Sequence, residues 1–208
     1  MPYGYLGTTP NQQLNNSGVF SVEEALALQN VGEFGGSLQH ISTTNATASA
    51  TIDIDIPSKY NVYLLQVNSI RPDDDSPTIH YQFFESGTIE TASVYIFAGR
   101  VQQTDNQYNI GGGGGTGYIR LMGNIEGSDS FRASASIWIY NAPDSSTYTM
   151  TQHTSTYQNN ADYYSAETTG GMLPQASVVD GIRFYSSNNQ DFAAEGNFKL
   201  YGVTQIWI

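Results

Sequence analysis

Val178-Val179-Asp180-Gly181-Ile182-Arg183-Phe184 and, further on, Gly196-Asn197-Phe198-Lys199-Leu200-Tyr201-Gly202-Val203 decide the fold class of this chain. Both segments alternate apolar and polar residues. Ile182 and Phe184 fall on one face, as do Phe198, Leu200 and Gly202, while Arg183, Lys199 and Tyr201 fall on the other. A period of two belongs to a strand with one buried face. Ser186-Ser187-Asn188-Asn189-Gln190-Asp191 between them is turn material. The spacing predicts a β-hairpin or two neighbouring strands.

Working outward, Tyr60–Ile70 sets Val62, Leu64 and Gln66 against Tyr63, Leu65 and Val67, which predicts burial on both faces. In Ala48–Ile56, Ile52, Ile54 and Ile56 alternate with Asp53 and Asp55. Ser37–Ser42 precedes it, and Thr78–Glu85 pairs with Ile89–Phe97 as a hairpin across Ser86-Gly87-Thr88. Tyr118–Met122, Phe131–Tyr140 and Thr147–His153 complete the set. Tyr108–Gly115, ending in the pentaglycine Gly111–Gly115, reads as a flexible loop. So does Thr154–Pro174, which has no clear period; a loop of that length in a compact domain is usually functional. About ten short strands at spacings of roughly ten to fifteen residues predict an all-β antiparallel β-sandwich, jelly-roll-like.

The N-terminal segment reads differently. Residues 1–20 carry turn-formers and no period, as an extended arm does. Ser21-Val22-Glu23-Glu24 is a capping box, and Val22, Ala25, Leu26 and Leu28 supply an apolar stripe. One short helix over 22–29 is expected, stopped near Gly32, with Gly35-Gly36 as a hinge. The chain therefore divides into 1–36, an arm and helix for anchoring and assembly, and 37–208, the β-sandwich. Such a short helix is marginal alone, so its stripe must pack on something. Tyr3, Tyr5, Leu6, Pro10, Val19 and Phe20 are the candidate anchoring residues.

Composition narrows the chemistry. The 208 residues contain no cysteine, so disulfides, thiolate metal sites and Cys nucleophiles are excluded. Lys and Arg number 7 against 19 Asp and Glu, a net charge of −12 that argues against a phosphate-tracking groove and a nucleic-acid partner. Fifteen Tyr and 21 Gly make an uncharged, phenol-studded surface, common to adhesins, fibres, carbohydrate-binding surfaces and β-rich structural proteins. No Lys or Arg precedes Lys59 and no apolar run reaches transmembrane length; cytosolic synthesis without membrane insertion is expected.

No catalytic machinery is legible. The pentaglycine lacks the Lys of a phosphate loop. His40, His80 and His153 lie in separate strands, as ordinary strand histidines. Asp53 and Asp55, and the turn acids Asp73-Asp74-Asp75, read as solvated groups rather than a glycosidase pair or a calcium site. Trp138 and Trp207 each alternate with isoleucines and read as sheet or subunit packing. No catalytic residue, metal or cofactor is predicted. The best sugar-site candidate is Tyr157, Asn160, Asp162, Tyr163 and Tyr164, with Asn159, which combine stacking phenols with hydrogen-bonding groups.

Three pieces together resemble one family of tailed-bacteriophage virion proteins, especially marine ones. They are Tyr5-Leu6-Gly7-Thr8-Thr9-Pro10; Asn16-Ser17-Gly18-Val19-Phe20-Ser21 through to Gly35-Gly36-Ser37-Leu38; and Gly181-Ile182-Arg183-Phe184 with Phe198-Lys199-Leu200-Tyr201-Gly202. Tyr60-Asn61-Val62-Tyr63-Leu64-Leu65 is similar to a strand of the same family. The resemblance implies a non-enzymatic β-sandwich subunit of a virion, assembled in the host cytoplasm. Its expected partners are copies of itself and neighbouring virion proteins. The opening motif favours a tail or fibre-associated protein anchored through its arm. Capsid decoration is the first alternative, and a carbohydrate-binding module that reads a host-surface glycan is the second.

Overall fold

The structure, a computed structural model, describes residues 37–73, 77–128 and 130–204. The expected arm and helix, the six anchoring residues, Asp74, Asp75 and Trp207 lie outside the described residues. One compact unit, His40–Val203, holds nearly all that is described. Ser37–Gln39 and Thr204 belong to the other, where Thr204 N donates to Ser37 O at 2.9 Å.

Among the described residues the regular elements are all strands. They are β1 (Leu38–Asn45), β2 (Thr51–Asp55), β3 (Val62–Ile70), β4 (Ile79–Glu85), β5 (Thr88–Ile89), β6 (Tyr95–Gln103) and β7 (Tyr108–Thr116). Next come β8 (Ile119–Met122), β9 (Ala133–Tyr140), β10 (Tyr148–Gln158), β11 (Tyr164–Ala176), β12 (Val179–Ser186) and β13 (Asn197–Val203). An eight-stranded sheet runs β1-β13-β3-β9-β10-β11-β6-β7. A five-stranded sheet runs β2-β12-β4-β5, with β8 also on β4. The pairings are antiparallel throughout the registered ladders. The described residues are all-β, built of two antiparallel sheets.

The alternation of apolar residues fills one core from both sheets. Tyr63, Leu65, Val67, Ile137 and Ile139 come from the large sheet; Tyr81, Phe83, Ile182 and Phe184 come from the small one. All are essentially out of solvent. Burying an aliphatic or aromatic side chain of this size contributes about 1.5–3 kcal/mol, which is why these phases face inward.

The closing strands have the expected faces but not the expected pairing. β12 joins the small sheet between β2 and β4, and β13 joins the large sheet between β1 and β3. They meet across the core instead, where the Phe184 and Phe198 rings lie 4.9 Å apart. The turn-forming segment between them is a crossing between layers. Ser186 Oγ accepts from Gln190 N at 2.7 Å, and buried Phe192 bridges to Ser49 and Pro72.

Three further expectations are corrected. The hairpin of β4 and β5 is only two residue pairs long, Phe84 with Ile89 and Glu85 with Thr88. The chain then leaves for the large sheet, so Ile89–Phe97 is not one strand. The pentaglycine is not a loop: it lies in β7, paired along β6 from Tyr95↔Thr116 to Gln102↔Tyr108. Thr154–Pro174 is not a long loop either. β10 continues to Gln158 and β11 begins at Tyr164, in register from Gln158↔Tyr164 to Thr149↔Leu173.

Candidate functional site: a small pocket at Arg120

The inward phase of β10 and β11 is polar. Thr149, Thr151, His153 and Ser155, and Ser165, Glu167 and Thr169 opposite, are all buried. Buried polar groups must find partners. Tyr81 Oη of β4 lies 2.7 Å from Thr151 Oγ1, and Ser155 Oγ donates to Leu121 O at 3.1 Å.

Glu167 is the charged member of the set, its side chain wholly out of solvent. Arg120, from β8 of the small sheet, donates to its Oε1 through Nε at 3.1 Å and Nη2 at 2.6 Å. Thr169 Oγ1 donates to the same oxygen at 3.2 Å, and Tyr157 Oη donates to Oε2 at 3.1 Å. The carboxylate is thereby paired and hydrogen-bonded on both oxygens, as a buried charge must be. Burial, and then the Glu167 charge, hold the Tyr157 phenol well above the usual range. Gly111 makes room for the pair. A Cβ at that position would stand 2.4 Å from Arg120 Nη2 and would push the guanidinium from its place against the β7 backbone.

A cavity of about 200 Å³ opens beside this ion pair. Val101 and Gln103 of β6 and Asn109 of β7 form one side; Gly123, Asn124, Tyr157 and Asn159 form the other, with Arg120 between. Val101, Tyr157 and Asn159 are buried, whereas Asn109 and Asn124 are exposed and mark the mouth. The amides of Gln103, Asn109 and Asn159 are held by hydrogen bonds, and Asn124 is tied through its backbone. Asn109 Nδ2 donates to Gln103 Oε1 at 3.1 Å and Gln103 Nε2 to Ser165 Oγ at 3.3 Å. Asn159 Oδ1 accepts from Ala161 N and Tyr163 N, each at 3.0 Å, and Asn160 N donates to Asn124 O at 2.9 Å. Arg120 Nη1 makes no hydrogen bond among the described residues.

The structure brings the sugar-site candidates only partly together. Tyr157 lines the pocket, but its ring is buried and its hydroxyl is committed to Glu167, so it offers no stacking face. Asn160, Asp162, Tyr163 and Tyr164 are exposed on and beside the adjoining β10–β11 turn, where Gln158 Nε2 donates to Asp162 Oδ1 at 3.1 Å. Sequence reasoning missed Arg120, Glu167, Gln103, Asn109 and Asn124. The one available signal was Glu167 itself, which shares its strand phase with Ser165, Thr169 and Leu173.

Other titratable groups are dispersed. His40 bonds Thr43, His80 stacks on Tyr118 with centroids 3.6 Å apart, and His153 lies in the core beside Tyr81. Burial and then the Arg120 charge push His80 down to about 4 and His153 down to about 3. Arg183 grips Asp53 through two bonds of 2.7 and 2.6 Å, Asp55 is exposed, and Asp73 lies 3.9 Å from Arg71. Glu85 and Glu90 form an acid pair at the β4–β5 hairpin, where burial and then the neighbouring Glu90 raise the Glu85 carboxyl. Among the described residues no three His, Asp or Glu side chains converge as a metal site would need.

The outer face of the large sheet carries a second feature. Val62, Tyr140, Met150, Met172, Ile96 and Gly114 stand in one cross-strand row. Tyr201, Leu64, Trp138, Gln152, Gly170, Ala98 and Gly112 form the next. Neither row contains a charge, and Ile96 and Met150 are 42% and 49% exposed.

Models of protein families, curated proteins and solved structures give no match to this chain.

Proposed function

We propose that this chain is a non-enzymatic structural subunit of a tailed-phage virion, tail- or fibre-associated, that assembles with copies of itself and with neighbouring virion proteins. The observation that supports the architectural half of the reading is the strand order. Eight strands form four nested pairs: β4 with β8, β3 with β9, β2 with β12 and β1 with β13. The pairs alternate between the small and the large sheet. We read a chain folded back on itself in this way as jelly-roll-like, an architecture used by viral capsid and lectin domains. The hairpins β6–β7 and β10–β11 lengthen the large sheet beyond it. Fold alone does not carry function. The resemblance at the opening segment, at Tyr60–Leu65 and at the closing strands supplies the virion half of the reading, and the charge-free outer face suits assembly.

Mass spectrometry of purified particles, with heads and tails separated, tests it. Recovery in the tail fraction is expected, along with loss of the protein from particles when residues 1–30 are deleted. Recovery with heads would move it to capsid decoration, and absence from particles would overturn the reading.

A further inference from the structure

The geometry points to a binding site for one neutral sugar ring in the pocket at Arg120. The volume sets the scale. About 200 Å³ holds roughly six or seven waters at about 30 Å³ each, room for a single pyranose. It is below the usual range of about 300–1,000 Å³ for larger ligands.

The lining sets the chemistry. A sugar hydroxyl both donates and accepts, and so does a primary amide. Asn109 and Asn124 offer amides at the mouth, and Gln103 lies between them and the interior. Arg120 Nη1 is a further donor with no partner among the described residues. Val101 supplies carbon surface on the inner wall.

The same residues argue against an anion. Glu167, fully buried, already neutralises Arg120, and Tyr157 holds its second oxygen. A carboxylate or sulfate would meet that charge at close range, in a protein of net charge −12. Neutral hydroxyls meet no such opposition. The site does not rest on the virion reading; sugar binding by a protein absent from particles would leave it standing.

Saturation-transfer NMR on the full chain tests the site. The probes are methyl glycosides of glucose, galactose, mannose and N-acetylglucosamine, run beside glucuronic acid and N-acetylneuraminic acid. At least one neutral glycoside is expected to bind and neither acid to do so. Gly123→Val should abolish the signal by filling the cavity. A Cβ there has only Tyr157 Oη within 4 Å, at 3.8 Å, so the variant should keep the wild-type melting temperature. Asn109→Ala and Asn124→Ala should each weaken binding about tenfold, the loss expected for one hydrogen bond. No binding by any neutral glycoside, binding confined to the acids, or binding unchanged in Gly123→Val would overturn the proposal. Loss on Tyr163→Ala with Gly123→Val unaffected would also overturn it, by moving the site to the exposed turn.

Discussion

At the scale of single residues, the pair Arg120–Glu167 is where this fold departs furthest from an apolar core. Its importance lies less in its attraction than in the uncompensated charge that losing one partner leaves behind. Arg120→Met leaves a carboxylate with no solvent exposure and only Tyr157 and Thr169 as donors. A loss of about 3–5 kcal/mol is expected from urea unfolding, whereas Arg120→Met combined with Glu167→Met should recover most of it. A double variant as unstable as the single one would show that lost packing, not the stranded charge, sets the penalty. The two buried histidines make a second prediction. Both are pushed below their ordinary value of 6.5, His80 to about 4 and His153 to about 3. The unfolded chain therefore takes up protons first as the pH falls. Stability is full above pH 6.5 and declines below it, by at most about 1.4 kcal/mol per pH unit for each histidine. Between pH 6 and 5, above the carboxylate range, His80→Gln should flatten the fall of the urea midpoint by roughly half. An unchanged slope would mean that His80 is protonated in the folded protein.

At the scale of elements, legibility tracked the chemistry of the buried phase. β2, β12 and β13 were readable because inward Ile, Val, Phe or Leu alternate with polar neighbours, and β3 and β9 because apolar or aromatic residues run along both faces. β10 and β11 turn Thr, His, Ser and Glu inward, so the period of two is present in burial and absent from hydropathy. Glu167 was hidden for that reason, whereas Gln103, Asn109, Arg120 and Asn124 lie on β6, β7, β8 and the segment after β8. β7 was hidden for another, since five glycines carry no pattern at all. Pairing was out of reach even where faces were clear. Nothing in Ile182–Phe184 or Phe198–Leu200 says whether two strands meet edge to edge or across a core. The glycines of β6 and β7 separate into two kinds. A Cβ on Gly99 would lie 1.9 Å from Thr169 Oγ1 and 2.8 Å from Thr168 O, whereas one on Gly114 would meet nothing within 4 Å. Gly99→Ala should cost about 1–3 kcal/mol by overpacking. Gly114→Ala should stay within about 0.5 kcal/mol of wild type or stabilise slightly, because it restricts the unfolded chain. Thermal unfolding of the pair checks the contrast, and equal losses would show that strand propensity rather than close approach decides it.

At the scale of the whole molecule, the outer face of the large sheet asks what covers it. Two charge-free rows cross β3, β9, β10, β11, β6 and β7, about 24 Å at a strand spacing of about 4.8 Å. The two rows are together about 14 Å deep, so the apolar patch is on the order of 300 Å². A stable pair of subunits needs about 800 Å² from each partner. The contact must then spread well beyond them, first onto the next row, Lys199, Gln66, Ser136, Thr154, Thr168 and Arg100, giving an apolar centre and a polar rim with a cation at each end. A second copy of the chain fits that description. The patch itself brings no like charges together, although each copy carries −12 overall. Long-range repulsion between copies is screened by salt, so association should tighten as ionic strength rises, the reverse of an ion-paired interface. Sedimentation of the full chain should show a concentration-dependent oligomer. Met150→Glu, which sets a carboxylate in the middle of the patch, should leave a monomer at every concentration. Thr168→Glu, on the rim, should weaken association only modestly at low salt and hardly at all at high salt. If Met150→Glu sediments as wild type does, copies of the chain do not meet on this face, and the assembly half of the structural reading must be carried by residues 1–36 alone.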